Sequence, residues 1–134
     1  MKWMLLALMF VGLAGCTLGM KEDGSNAVAD TFSVPASYQV AYRRADAYAR
    51  HCHGVQSPLK DAMSVTGDLF SDTRSGVIRI TSPSGGNDLE RIAIAETNGQ
   101  SSVTIKRWDV GIWDARETSA AKSAIATGNP VCRS

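Results

Sequence analysis

The chain has 134 residues, with 14 Lys and Arg against 13 Asp and Glu, three cysteines and 44% hydrophobic residues. That length bounds it to a single domain with one modest core. The near-neutral balance gives no basis for nucleic-acid binding or for nonspecific adhesion to anionic lipid, both of which need a surplus of basic charge.

The chain opens "MKWMLLALMFVGLAGC", in which Lys2 is a positive n-region, Trp3 to Leu13 form an apolar core, and small residues precede Cys16. The apolar run is about half of the roughly 20 residues needed to span a bilayer, which argues against an uncleaved transmembrane anchor. Leu13-Ala14-Gly15-Cys16 resembles the lipobox of bacterial lipoproteins at all four positions. The resemblance implies that residues 1–15 are a signal peptide, that Cys16 is diacylated on its thiol, and that its new amine usually takes a third chain. Family members with Asp after the cysteine tend to stay at the inner membrane. Thr17 stands here, so the resemblance implies the outer membrane, with the domain facing the periplasm. Two or three acyl chains anchor stably, because each buried CH₂ contributes about 0.8 kcal/mol.

"TLGMKEDGSNAVADTFSV" mixes charge, Gly and Ser with few large apolar residues. It reads, with Cys16, as an acylated flexible tether over 16–34, reaching roughly 20–25 Å as a coil. The folded domain is then 35–134. Its first helix is "SYQVAYRRADAYARHCHG", where Tyr38, Ala41, Tyr42, Ala45, Tyr48, Ala49 and Cys52 share one face and Gly54 stops the helix.

Four strands are expected at about Ser64–Phe70, Val77–Thr81, Leu89–Glu96 and Ser101–Trp108. Asn98-Gly99 is a strong hairpin signal, because a type I′ turn needs positive φ twice. Pairing Thr97 with Gln100, Ser82 with Asp88 and Ser71 with Gly76 puts Leu69, Ile78, Ile80, Ile92, Ile94, Val103 and Ile105 on one face. In "DARETSAAKSAIATGNP", Asp114 caps a second helix and Glu117 reaches back to it, while Gly128 ends it. The order αββββα predicts an α+β two-layer sandwich, a four-stranded antiparallel meander with two helices on its Ile-rich face.

Cys52 and Cys132 are expected to form a disulfide, as exported pairs usually do. The alternatives are a metal site with His51 and His53, or free thiols. Three adjacent residues cannot easily converge on one tetrahedral ion, and the spacing fits no standard zinc pattern. No metal or other cofactor is therefore expected, and the two histidines read as solvated residues at a helix end. The disulfide requires either that residues 53–61 cross the domain, making the helices parallel, or that Val131–Ser134 fold back.

The same register aligns Asp68, Arg79, Arg91 and Lys106 across the outward sheet face. Like charges directly opposite are unfavourable. A solvated face with splayed side chains is the plainer explanation, and an anion-binding surface at Arg79, Arg91 and Lys106 is the functional one. "RWDVGIWDARE" reads as a strand-to-helix corner in preference to a carbohydrate platform, and "SPSGG" as a hairpin loop. No Gly-x-Ser-x-Gly or other enzyme signature is present. The sequence therefore points to a noncatalytic, membrane-anchored structural or protein-interaction module of the envelope. The alternative is a ligand-binding lipoprotein that recognises an anionic glycan or lipid through the cationic face.

Overall fold

A computed structural model describes residues 18–55, 57 and 62–134. Residues 1–17, which hold the expected signal peptide and the lipobox-like stretch ending at Cys16, lie outside the described residues, as does most of the 56–61 connection. The fold is α+β, with a five-stranded antiparallel sheet and two helices: β1 (Ala27–Val34), α1 (Tyr38–His53), β2 (Ser64–Phe70), β3 (Ser75–Thr81), β4 (Asp88–Thr97), β5 (Gln100–Trp108) and α2 (Ala115–Thr127). Strand order is β1-β5-β4-β3-β2. Among the described residues, no helix is long and apolar enough to cross a membrane.

The first correction concerns the tether. Residues 27–34 are a full edge strand, paired along β5 from Ala27 opposite Trp108 to Val34 opposite Ser101. Val28, Asp30, Phe32 and Val34 share the face of Ile105 and Val103, so the strand closes one side of the core. The meander is thus extended to five strands, and α1 carries the chain from one edge of the sheet to the other.

Ser37 caps α1 by accepting from the Val40 N–H, and the helix buries Tyr38, Ala41, Ala45, Tyr48, Ala49 and Cys52 against the sheet. The alanines keep the backbone close to Ile78, Ile80, Ile92, Ile94 and Ile105, all at most 2% exposed. Burying each Ile side chain contributes about 1.5–3 kcal/mol. The expected register holds for β4 with β5, and for β3 with β4 up to Ile80, after which a bulge sets Thr81 opposite Asp88.

β2 departs from expectation by two residues. Gly67, not Leu69, stands opposite Ile78, while Leu69 faces Gly76 and is 45% exposed. The turn closes through Arg74 at φ +48°, and its carbonyl accepts from the Glu96 N–H at 3.0 Å. A shift of two preserves the faces but moves Asp68 out of the cationic row, to a place opposite Val77. The two glycines make room for Tyr42: a Cβ on Gly76 would stand 2.6 Å from its Cδ2. Gly76→Ala is therefore expected to cost about 1–3 kcal/mol in a denaturant melt. In a Tyr42→Ala background the same substitution should cost clearly less, since its shortest contact is gone and only the approaches to the Asp68 carbonyl and Leu69 at 3.3 Å remain.

The helices run antiparallel, which corrects the parallel arrangement. His53 and Tyr48 near the end of α1 meet Glu117 at the start of α2, while Arg44 donates to the carbonyls of Ile125 and Ala126 at its end. The Met63 N–H donates to the His53 carbonyl at 2.6 Å, so Met63 lies beside the end of α1 and not across the domain from it. The disulfide Cys52–Cys132 is present, with a Cα–Cα distance of 5.4 Å. It forms because the C-terminal tail folds back along α2, where Arg133 donates to the Ile112 carbonyl at 2.7 Å and to Asp114 at 3.1 Å.

Candidate functional site

Both helices pack on the isoleucine face, and among the described residues no helix covers the opposite sheet face. Across that face run Thr66, Arg79, Arg91, Lys106 and Ala29 in direct register. The three cations named from the sequence are brought together as expected, and Asp68 is not among them. They line one cavity of about 380 Å³ with Lys21, Glu22 and Asp88. Four cations thus face two carboxylates. Asp88 lies 3.2 Å from Arg91 Nε. Among the described residues, the side chains of Lys21, Arg79 and Lys106 have no ion-pair partner.

Lys21 belongs to the part of the chain read as tether, so its contribution was not visible in the sequence. The turn that places it is built by Asn26, whose Oδ1 accepts the Lys21 N–H at 2.7 Å and whose Nδ2 donates to the Gly19 carbonyl at 3.2 Å. The signal was Asn26 beside Ser25 and Gly24, residues that favour turns.

A second constellation lies inside the core, and the sequence reading missed it. His53 is 1% exposed, not solvated, while His51 is exposed. Glu117 does not reach back to cap its helix. Asp114 alone caps α2, accepting from the Arg116 and Glu117 N–H groups. Glu117 instead turns inward, and its Oε1 accepts from the Tyr48 hydroxyl at 2.8 Å and from His53 Nε2 at 2.7 Å. Trp113 covers His53, with ring centroids 4.8 Å apart.

Glu90 is fully buried beside this group. Burial, then the neighbouring Glu117, push its carboxyl well above the usual carboxylate range, and Arg107 opposes the shift. As ionised groups, Glu90 would have no donor for either oxygen and Glu117 none for Oε2. Raised in this way, Glu90 favours its protonated form, which can donate to Glu117, the arrangement expected when like charges share a dry site. Arg107 is itself held by Thr118 Oγ1 and the Trp113 carbonyl, both at 2.8 Å, and by Asp109.

Chemically the two sites differ. The inner cluster has acid–base groups, but Glu90, Glu117 and His53 are closed off from solvent and from any substrate. It joins α1, α2 and β4 through polar contacts in the core. Cys52 is committed to the disulfide and His53 to Glu117, so the "HCH" triplet presents only His51 to solvent. Trp113 is buried, Asp114 caps and Gly111 has φ +63°, as the corner reading of "RWDVGIWDARE" requires. The outer cavity is open and electropositive. The fold and site together define an α+β domain with a helix-free, cationic sheet face. No protein-family model matches this sequence, and no curated protein sequence matches it.

Proposed function

We propose that the chain is a noncatalytic lipoprotein, held at the outer membrane by acyl chains on Cys16. Its periplasm-facing domain binds a phosphate- or carboxylate-bearing component of the envelope. One observation carries the binding half of this reading: Arg79, Arg91 and Lys106 share a single cavity with Lys21, from a separate segment of the chain. A merely solvated row would relieve its repulsion by splaying apart. Here a fourth cation is instead brought over the row by a turn fixed by Asn26. The anchoring half is supported by Leu13-Ala14-Gly15-Cys16 and the apolar run before it.

Thermal unfolding of the acylated chain in uncharged detergent, with and without inorganic pyrophosphate, tests the binding. At ten times its Kd, a ligand specific for the folded state adds about 1.4 kcal/mol. That gain is expected in the native chain, above any effect of sodium chloride at equal ionic strength, and should vanish in Arg79→Gln/Arg91→Gln. A gain that survives in the double variant would refute the site.

A second reading, a protein-interaction module, is favoured by the outer edge of β2, along which no other strand pairs among the described residues. There Leu69 and Phe70, 45% and 46% exposed, adjoin unpaired strand backbone. In-cell crosslinking through this edge to one defined envelope protein would support it, and capture independent of the edge would count against it.

A further inference from the structure

The stretch Leu18–Met20 is fixed to the domain. The Asn87 N–H donates to the Leu18 carbonyl at 3.2 Å, and the Met20 N–H to the Asp88 carbonyl at 2.9 Å. Met20 is 7% exposed. Gly19 has φ +114°, and a Cβ there would stand 2.7 Å from the Asn87 carbonyl oxygen, so only glycine fits the approach. The docked segment ends at the rim of the cationic cavity, which Met20 and Asn87 also line.

Cys16 precedes Leu18 by two residues, and two residues span at most about 7 Å. A tether this short orients what it carries, whereas one of roughly 20 Å does not. Resting on the reading that Cys16 is acylated and that this face binds anions, we infer that the anion is the lipid phosphate of the bilayer holding the anchor. The domain lies with its helix-free sheet face on the headgroups, and both helices point away from the membrane.

Three features fit that placement. Arg79, Arg91, Lys106 and Lys21 surround the cavity that Met20 lines at the end of the docked segment, within reach of a surface potential that decays over about 8 Å. On one side of the row the outer-face positions of β4, β5 and β1 are small, with Ala93 opposite Thr104 and Thr104 opposite Thr31. That part of the sheet can approach a flat surface closely, while Trp108 lies on the other side of the row. Leu18, 48% exposed at the rim, supplies apolar surface where the chain meets the lipid.

Lysine footprinting reads this directly in the native acylated chain, because Lys21 and Lys106 lie on the proposed contact face while Lys122 lies on α2. The chain is reconstituted in phosphatidylcholine vesicles with or without phosphatidylglycerol and treated with a membrane-impermeant amine reagent. Lys21 and Lys106 are expected to be protected only where phosphatidylglycerol is present, with Lys122 equally reactive in both. Arg79→Gln and Arg91→Gln should each weaken docking by about fivefold, the contribution of one cation near an anionic surface.

Equal reactivity of all three lysines in both vesicles would overturn the inference, as would an intact-mass measurement showing no acyl group on Cys16. In that event, a stabilisation by pyrophosphate that still depends on Arg79 and Arg91 would leave the anion site standing with a ligand other than the membrane. Loss of both effects would remove the site as well.

Discussion

Replacing Glu117 by alanine is expected to remove about 2–6 kcal/mol of folding stability, since each buried polar group stripped of its partner costs about 1–3 kcal/mol. The Tyr48 hydroxyl and His53 Nε2 both donate to the same Oε1, and neither has solvent to turn to. Against a total of roughly 5–15 kcal/mol for a small domain, the upper end would leave much of the chain unfolded. Urea unfolding followed by near-ultraviolet circular dichroism measures the loss, with Trp113 stacked on His53 as a reporter within the cluster. A loss below about 1 kcal/mol would mean that the cluster is not the polar junction of the core.

Glu90→Gln gives the contrasting result. The raised carboxyl of Glu90 binds its proton more tightly in the folded chain than in the unfolded one. Its contribution is therefore full below the ordinary glutamate value of about 4.3 and is lost as pH rises from there towards the folded value. The loss can reach about 1.4 kcal/mol per pH unit across that window. A glutamine amide donates to Glu117 at every pH, so the variant should equal or exceed the native chain in stability at pH 8 and lose its advantage at pH 4. The difference between the two chains isolates this effect from Asp114, whose N-cap hydrogen bonds and Arg133 hold its carboxyl below the usual range and act in the opposite direction at low pH.

The second large effect is expected from the disulfide. Cys52→Ala/Cys132→Ala opens a link between residues 80 apart in sequence. The chain-entropy model assigns about 4.5 kcal/mol to a loop of that length, with typical measured values of 2–4 kcal/mol. For a domain of this size the midpoint should fall by roughly 10–30 °C. The tail adds its own contribution, because Arg133 holds Asp114 and the Ile112 carbonyl only while residues 129–134 lie against α2. Loss of the bond therefore loosens the cap of α2 and, one turn on, the helix that carries Glu117. Differential scanning calorimetry of native and double-alanine chains checks this, and a midpoint shift under about 5 °C would contradict it.

The isoleucine face was legible because Ile78, Ile92, Ile105, Ile94 and Val103 align only in one register, and the Asn98-Gly99 turn fixes that register. β1 was hidden by composition. Its inward residues include Asp30, which can sit there because it lies on an edge strand, 44% exposed and 3.7 Å from Lys122. Its outward residues are Ala, Ala, Thr and Ser, which leave little apolar contrast. The β2 register depended on Arg74 adopting positive φ, a conformation that arginine does not advertise, and on two glycines accommodating Tyr42.

The candidate site divides in the same way. Arg79, Arg91 and Lys106 were aligned by counting from hairpin turns, which is local information. Lys21 joins them through the local turn at Asn26 and through Met20 on Asp88, a contact between segments far apart in the chain. Glu90 and Glu117 looked like ordinary charged residues of a strand and a first helical turn. Only the antiparallel packing of α1 on α2 carries Tyr48 and His53 to Glu117, and the expected parallel helices would have kept them apart.

The most direct measurement is a titration of the chain in uncharged detergent with inorganic pyrophosphate, followed by amide and arginine side-chain NMR. Shifts should concentrate at Lys21, Arg79, Asn87, Arg91 and Lys106, saturate together and disappear at high salt. Shifts spread evenly over exposed cations such as Arg43, Arg116 and Lys122, with no common saturation, would show that the outer face attracts anions no more than the rest of the surface and would remove it as a site.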